Sequence, residues 1–167
     1  MPAAAPDLFA HAAALFAPVA NSGPLALAVS GGSDSVALMH LAAAWRQRPD
    51  FTVLTVDHGL RTGSAAEAQQ VGQWSAGLGL QHVLLRWDAA KPVTALQAKA
   101  RAARYDLMTN WCDAQGVAWL LTAHTLDDQA ETVLMRLART SSIDSLAGIP
   151  AVGQWCGVGH PALWNLP

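Results

Sequence analysis

Residues 26–38 read Ala26-Leu27-Ala28-Val29-Ser30-Gly31-Gly32-Ser33-Asp34-Ser35-Val36-Ala37-Leu38, an apolar run that meets two glycines among serines and then resumes as a helix-forming segment. The order is strand, turn, helix. Gly31 and Gly32 let the backbone turn sharply and approach an anion, and Ser33 and Asp34 are placed to cap a helix whose unpaired amides and positive dipole end point the same way. Hydroxyls of Ser30, Ser33 and Ser35 offer further donors to phosphate oxygens. Asp34 repels a phosphate unless a divalent cation lies between, and Mg2+ favours one or two carboxylates together with phosphate oxygens. The stretch therefore predicts a site for a magnesium nucleotide.

A tight turn with an aspartate cap would account for a bare Gly-Gly pair. It does not account for two glycines, three serines and an aspartate at one junction. No lysine follows the glycines, which excludes the Gly-x-x-x-x-Gly-Lys-[Ser/Thr] loop, and the spacing Gly-x-Gly-x-x-Gly of dinucleotide folds is also missing.

Outward from this loop, strand and helix signals alternate. The pattern predicts strands over 25–29, 51–57, 82–87 and 117–122, and helices over 33–45, 65–78, 94–115 (closed by Gly116) and 126–139. Leu126, Ala130, Val133, Leu134 and Leu137 recur at helical spacing and predict a buried stripe on the last helix. Such alternation implies an α/β fold, a doubly wound and mainly parallel sheet with helices on both faces. In that architecture ligands bind beyond the carboxyl ends of the strands, near the reversal of strand order. Ser30–Ser35, Asp57–Arg61 and Ala123–Asp128 all fall there.

Composition fits one α/β unit: 167 residues, 52% hydrophobic and 13% charged, enough for a substantial core. Cys112 and Cys156 have neither metal-ligand nor disulfide-framework spacing, which points to a reducing cytoplasm. The Ala-rich start, residues 1–20, has no Lys or Arg and carries Asp7, so it is expected to be a helix packed on the domain rather than a signal peptide. No apolar run is long enough to span a bilayer, and no membrane partner is expected. A net charge of -2 argues against strong autonomous nucleic-acid binding.

Two further groups carry chemistry. Gln97, Arg101 and Arg104 share a helix face and present two guanidinium groups, either to a phosphate or simply to solvent. Asp127, Asp128 and Glu131 open the last helix beside His124. Acidic residues there offset the helix dipole, but Asp128 and Glu131, one turn apart, can also hold an ammonium group or accept its proton. His124 is either a phosphate contact or a strand-end histidine satisfied within the fold.

The glycine-serine loop resembles that of the N-type ATP pyrophosphatases, also called the PP-loop superfamily. Val-Ser-Gly-Gly-Ser-Asp-Ser (29–35), Val-Asp-His-Gly-Leu-Arg (56–61), Gln-Ala-Lys-Ala-Arg-Ala-Ala-Arg-Tyr (97–105), Leu-Leu-Thr-Ala-His-Thr-Leu-Asp-Asp-Gln-Ala-Glu-Thr (120–132) and Ser-Leu-Ala-Gly-Ile (145–149) together resemble, in order, the motifs of the tRNA(Ile)-lysidine synthetase family. The resemblance spans about residues 25–147. It implies a ligase using ATP and Mg2+: ATP adenylates the C2 oxygen of an anticodon cytidine in tRNA(Ile), releasing pyrophosphate, and the side-chain amine of free lysine then attacks C2 and expels AMP.

Carried onto these positions, the resemblance gives Ser30, Gly31, Gly32, Ser33, Asp34 and Ser35 to the ATP phosphates. Val56 and His58 line the nucleoside, Arg104 and His124 contact ATP, and Asp34 binds Mg2+ with Asp127 as a second candidate. Asp128 and Glu131 bind and deprotonate lysine, so the catalytic set is Asp34, Asp128 and Glu131. Thr125 and Arg139-Thr140-Ser141-Ser142 depart from the usual family pattern. Family members are also longer, which implies a PP-loop ATP-binding domain over 1–147 and a tail over 148–167, the cut end of a larger catalytic domain or the end of a shortened homologue. Two alternatives remain open: a PP-loop tRNA thiolase, disfavoured by the lack of Cys-x-x-Cys, and a non-catalytic nucleotide-binding fragment. Homo-oligomerisation is also left open.

Overall fold

The computed structural model describes residues 16–45, 49–60, 62–89, 94–124, 126–138, 149, 152–154 and 162–166. Six strands, β1 (Leu25–Ala28), β2 (Phe51–Asp57), β3 (Gln81–Arg86), β4 (Trp119–Ala123), β5 (Val152–Gln154) and β6 (Ala162–Leu166), form one sheet in the order β3-β2-β1-β4-β6-β5. All neighbouring pairs are parallel except β5 with β6 at the edge. The helices are α1 (Ser33–Ala44), α2 (Ser64–Gly77), α3 (Leu96–Gln115) and α4 (Leu126–Leu137). The doubly wound α/β fold expected from the alternation is the fold observed.

Why helices cover both faces follows from side-chain alternation along the strands. Leu25, Leu27 and Val29 point to one face and pack with Leu38, Met39 and Ala42 of α1 and Val71 of α2. Ala26 and Leu54 point to the other and pack with Tyr105, Met108 and Cys112 of α3. From β1 the chain moves outward through β2 to β3, and α3 then returns it to β4 on the far side of β1. With the crossover hand conserved, reversing direction moves the helix to the opposite face. The reversal falls between β1 and β4, the point at whose carboxyl ends this architecture places its ligand crevice.

Two details depart from the sequence expectation. Residues 152–154 and 162–166, assigned to a tail, extend the sheet: β6 pairs with β4 over Trp119↔Ala162 to Ala123↔Leu166. Five-residue and three-residue strands in a Gly- and Pro-rich stretch leave almost no periodicity to read, so the pairing is decided by the open edge of β4. The second departure is α4, where Ala130 is exposed and Leu134 and Leu137 are 65% and 51% exposed. The stripe is present in sequence but is not buried among the described residues, because amphipathic spacing fixes a face and not what covers it.

Of the N-terminal helix expected over 1–20, only the end lies within the described residues. Ala17–Val19 form a 3-10 turn; Phe16 is buried and stacks on Trp45 at 5.4 Å between centroids, with Phe51 at 5.9 Å. These rings close the core at the end of the sheet remote from the crevice. A concavity lined by Pro49, Asp50, Phe51, Gly79, Leu80 and Gln81 lies at that same end, where β2 and β3 begin. Nothing lining it resembles a catalytic set.

Candidate functional site

The loop after β1 is organised by its own serines. Ser35 is buried; its Oγ donates to the Gly32 carbonyl at 2.9 Å and accepts from the Ser30 amide at 3.2 Å. The Ser30 hydroxyl lies 3.3 Å from that of Ser35. The Ser35 hydroxyl, expected as a phosphate donor, therefore serves as an internal brace. Gly31 has φ +93°, and a Cβ there would sit 3.4 Å from Val71 Cγ2 on α2. Only glycine adopts that backbone without strain.

The expected caps are also placed differently. Gly32 is the N-cap of α1 and no side chain caps it; Ser33 instead donates to Asp34 Oδ1 at 3.2 Å. The first intrahelical bond runs from Val36 to Gly32. First-turn amides are thus left to face the crevice, the arrangement that binds anions at a helix start. Asp34 is exposed beside them.

The loop after β2 is held by Asp57, which sequence reasoning had not singled out. Its Oδ1 accepts from the Gly59 amide at 2.9 Å. A hydrogen bond from Ser64, that from Gly59 and the nearby Arg86 and His58 hold the carboxyl below the ordinary carboxylate value, against a small opposing cost of burial. The signal was available: Asp-x-Gly is an Asx-turn pattern, and Gly59 has φ +58°. His58 packs edge-on against Trp87 at 6.1 Å. The Trp87 amide donates to the Asp57 carbonyl at 3.0 Å, joining the ends of β2 and β3. Val56 is half-buried and faces the α3 side of the sheet.

The third cluster joins α3 to the end of β4. Both Arg101 and Arg104 place their guanidinium carbons 5.2 Å from the Tyr105 ring centroid. Arg101 is exposed and Arg104 half-buried, and the Arg104 Nε is enclosed without a hydrogen-bond partner among the described residues. His124 Nδ1 lies 3.9 Å from Asp128 Oδ2. Burial lowers the His124 pKa most, Arg101 and Arg104 lower it further, and Asp128 opposes them. The balance favours the neutral imidazole, which offers a ring nitrogen as a hydrogen-bond acceptor. Glu131 is exposed one turn beyond Asp128 on α4. The side chain of Asp127, Thr125, Arg61 and the segments 139–142 and 145–148 lie outside what the structure describes.

Gln129, one residue after Asp128 on α4, reaches across the chain to Ile149. Its amide donates to the Ile149 carbonyl at 2.8 Å and its Oε1 accepts from the Ile149 amide at 2.6 Å. Cys112, by contrast, is buried in the core; burial and the neighbouring Asp113 push its thiol up to about 12, so it is an inert packing group.

Among known proteins, residues 6–159 match the sequence model of the PP-loop domain. The chain is 50% identical over 153 residues to a tRNA(Ile)-lysidine synthase of Bradyrhizobium sp., covering 89% of this chain and 43% of that protein. It is 52% identical over 139 residues to the enzyme of that name from Rhodopseudomonas palustris, covering 81% and 40%, and 54% over 131 residues to that of Methylobacterium nodulans, covering 78% and 39%. The chain thus spans about two fifths of the length of these curated relatives. A solved structure, the U34-tRNA thiolase NcsA from Methanococcus maripaludis with its [4Fe-4S] cluster, superposes with a TM-score of 0.76 over 95% of this chain and 58% of that one, at 14% identity. That likeness is one of fold.

Proposed function

The chain belongs to the PP-loop domain family, and from that premise we propose that it carries the nucleotide-binding, adenylating and lysine-accepting centre of a tRNA(Ile)-lysidine synthetase. One observation carries the reading. The braced glycine-serine loop of β1 and the His124–Asp128 pair after β4 flank the same switch point of the sheet. An anion-binding helix start and carboxylates able to hold an amine therefore share one crevice.

In this reading ATP lays its phosphates on the amides of the Ser30–Ser35 loop, and Val56 and His58 border the nucleoside. Among the described residues no group of three or more His, Cys, Asp or Glu side chains could hold a metal on its own. A single exposed carboxylate, Asp34, completed by phosphate oxygens and water, is nonetheless a donor set that suits Mg2+. The cation would supply charge neutralisation at phosphorus. In the same reading Arg104 and His124 receive a phosphate oxygen, a role supported by the enclosed Arg104 Nε, which has no hydrogen-bond partner among the described residues.

The cytidine C2 oxygen attacks the α-phosphorus and pyrophosphate leaves, which converts a poor leaving oxygen into a good one. Free lysine, with an amine pKa of about 10.4, must then lose a proton before attacking C2. Asp128 and Glu131 are placed on one helix face to hold the ammonium and take that proton, and AMP departs. The protein's task is mainly positioning and charge stabilisation. Within the described residues no helix is long and apolar enough to cross a membrane.

The test is to incubate the purified chain with Mg-ATP, a tRNA(Ile) transcript and labelled lysine. Pyrophosphate release that requires the tRNA, together with transfer of label into it, is the expected result. Release without tRNA, or release with no incorporation of lysine, would overturn the ligase reading. With a net charge of -2, tRNA binding by the chain alone should be weak and strongly salt-sensitive.

A further inference from the structure

α4 carries the two carboxylates assigned above to lysine, yet the apolar residues of its last turn are exposed. Leu134, Met135 and Leu137 are 65%, 46% and 51% exposed, so the second half of the helix lacks the buried face that normally fixes a helix in rotation about its axis. What α4 does have is a two-point tie at Gln129. The carboxamide donates to the Ile149 carbonyl at 2.8 Å and accepts from the Ile149 amide at 2.6 Å, across 20 residues of sequence. These paired bonds are what a neighbouring strand would offer a backbone residue, and they occur just ahead of β5. Pro150, next in sequence, has no amide of its own to donate.

Helical geometry decides what this tie can do. At about 100° per residue, Asp128 and Glu131 lie about 60° apart, and Gln129 projects about 130° from the line between them. The tie thus grips α4 on the flank away from the carboxylates. At a side-chain radius of about 5–6 Å, a 10° rotation displaces a carboxylate by about 1 Å, enough to spoil the alignment of a reacting amine.

We propose that Gln129 is a positioning residue for the Asp128–Glu131 pair, setting the rotation of α4 through its two hydrogen bonds to the Ile149 backbone and so setting affinity for the lysine substrate. The inference rests on the ligase reading for its substrate and on geometry alone for the positioning. Gln129→Met keeps side-chain length and removes both bonds; Gln129→Ala removes both length and bonds. Both variants should raise the KM for lysine about tenfold while tRNA-dependent pyrophosphate release stays within about twofold of the unaltered chain.

A readout independent of turnover comes from the His124 ring, followed by NMR through a pH titration. Asp128 raises its midpoint, so a rotated α4 that withdraws Asp128 should move the midpoint down in both variants. An unchanged midpoint with an unchanged lysine KM in Gln129→Met overturns the proposal. So does an equal fall of both half-reactions in step with a lowered Tm, which would mark a structural residue only. If the unaltered chain incorporates no lysine, the ligase reading fails, and the His124 midpoint in the two variants still decides whether Gln129 positions α4.

Discussion

The loop after β1 and the helix α4 follow neighbouring strands at the reversal of strand order but are stabilised in different ways. In the loop, Ser30, Gly32 and Ser35 satisfy one another within six residues, and the following helix is packed into the core through Leu38, Met39 and Ala42. α4 keeps exposed apolar residues in its last turn and is tied by the long-range pair between Gln129 and Ile149. A site for the nucleotide is therefore built locally. The proposed lysine site depends instead on where a distant stretch of chain settles.

The sharpest way to break this contrast is at Gly31. Valine there meets a positive φ and crowds Val71, a strain of about 1–3 kcal/mol concentrated where phosphate must approach. Gly31→Val should weaken ATP binding by about ten- to a hundredfold in calorimetry, with no loss specific to lysine. Asp34→Ala should cost about tenfold in Mg-ATP affinity and leave metal-free nucleotide binding nearly intact, because the loop amides remain. Equal Mg-ATP affinity in that variant would remove Asp34 from the cation site. On the other wall, Glu131→Gln should raise the lysine requirement several-fold while pyrophosphate release persists; a parallel loss of both half-reactions would contradict the division of labour.

pH probes the histidine between the two walls. Burial lowers the pKa of His124, and of His82, whose Nε2 lies 3.0 Å from Thr55 Oγ1. The unfolded chain therefore binds these protons more readily than the folded one. Their stability contribution is complete above the ordinary value of 6.5 and is lost as pH falls through the lower folded values. Urea midpoints should fall between pH 7.5 and 5, and His82→Gln should flatten that slope without touching nucleotide binding. The smallest effect is expected at Leu134: Leu134→Ser should shift stability by less than about 0.5 kcal/mol. Leu121→Ala, in the core under the loop, should cost about 2–5 kcal/mol.

Legibility from sequence follows the same contrast. Gly31, Gly32 and the serines announce a turn at an anion site because local backbone geometry demands those residue types. The Asp57 turn was equally local, and its Asp-x-Gly signal was present. Arg101, Arg104 and Tyr105 could be placed on one helix, but a helical wheel does not say that both guanidinium groups come to bear on His124. The role of Ser35 as a brace rather than a phosphate donor depends on burial, which spacing does not reveal.

By itself the sequence determined the alternation of strands and helices, the parallel sheet, and the three strand-end clusters, because hydrophobic period and turn chemistry act over a few residues. Tertiary structure alone decided that residues 152–154 and 162–166 join the sheet, that Leu134 and Leu137 remain exposed on α4, and that Gln129 reaches Ile149. Each of these is a choice of partner between segments remote in the chain, settled by which edge, face or backbone group is left unsatisfied when the rest has packed.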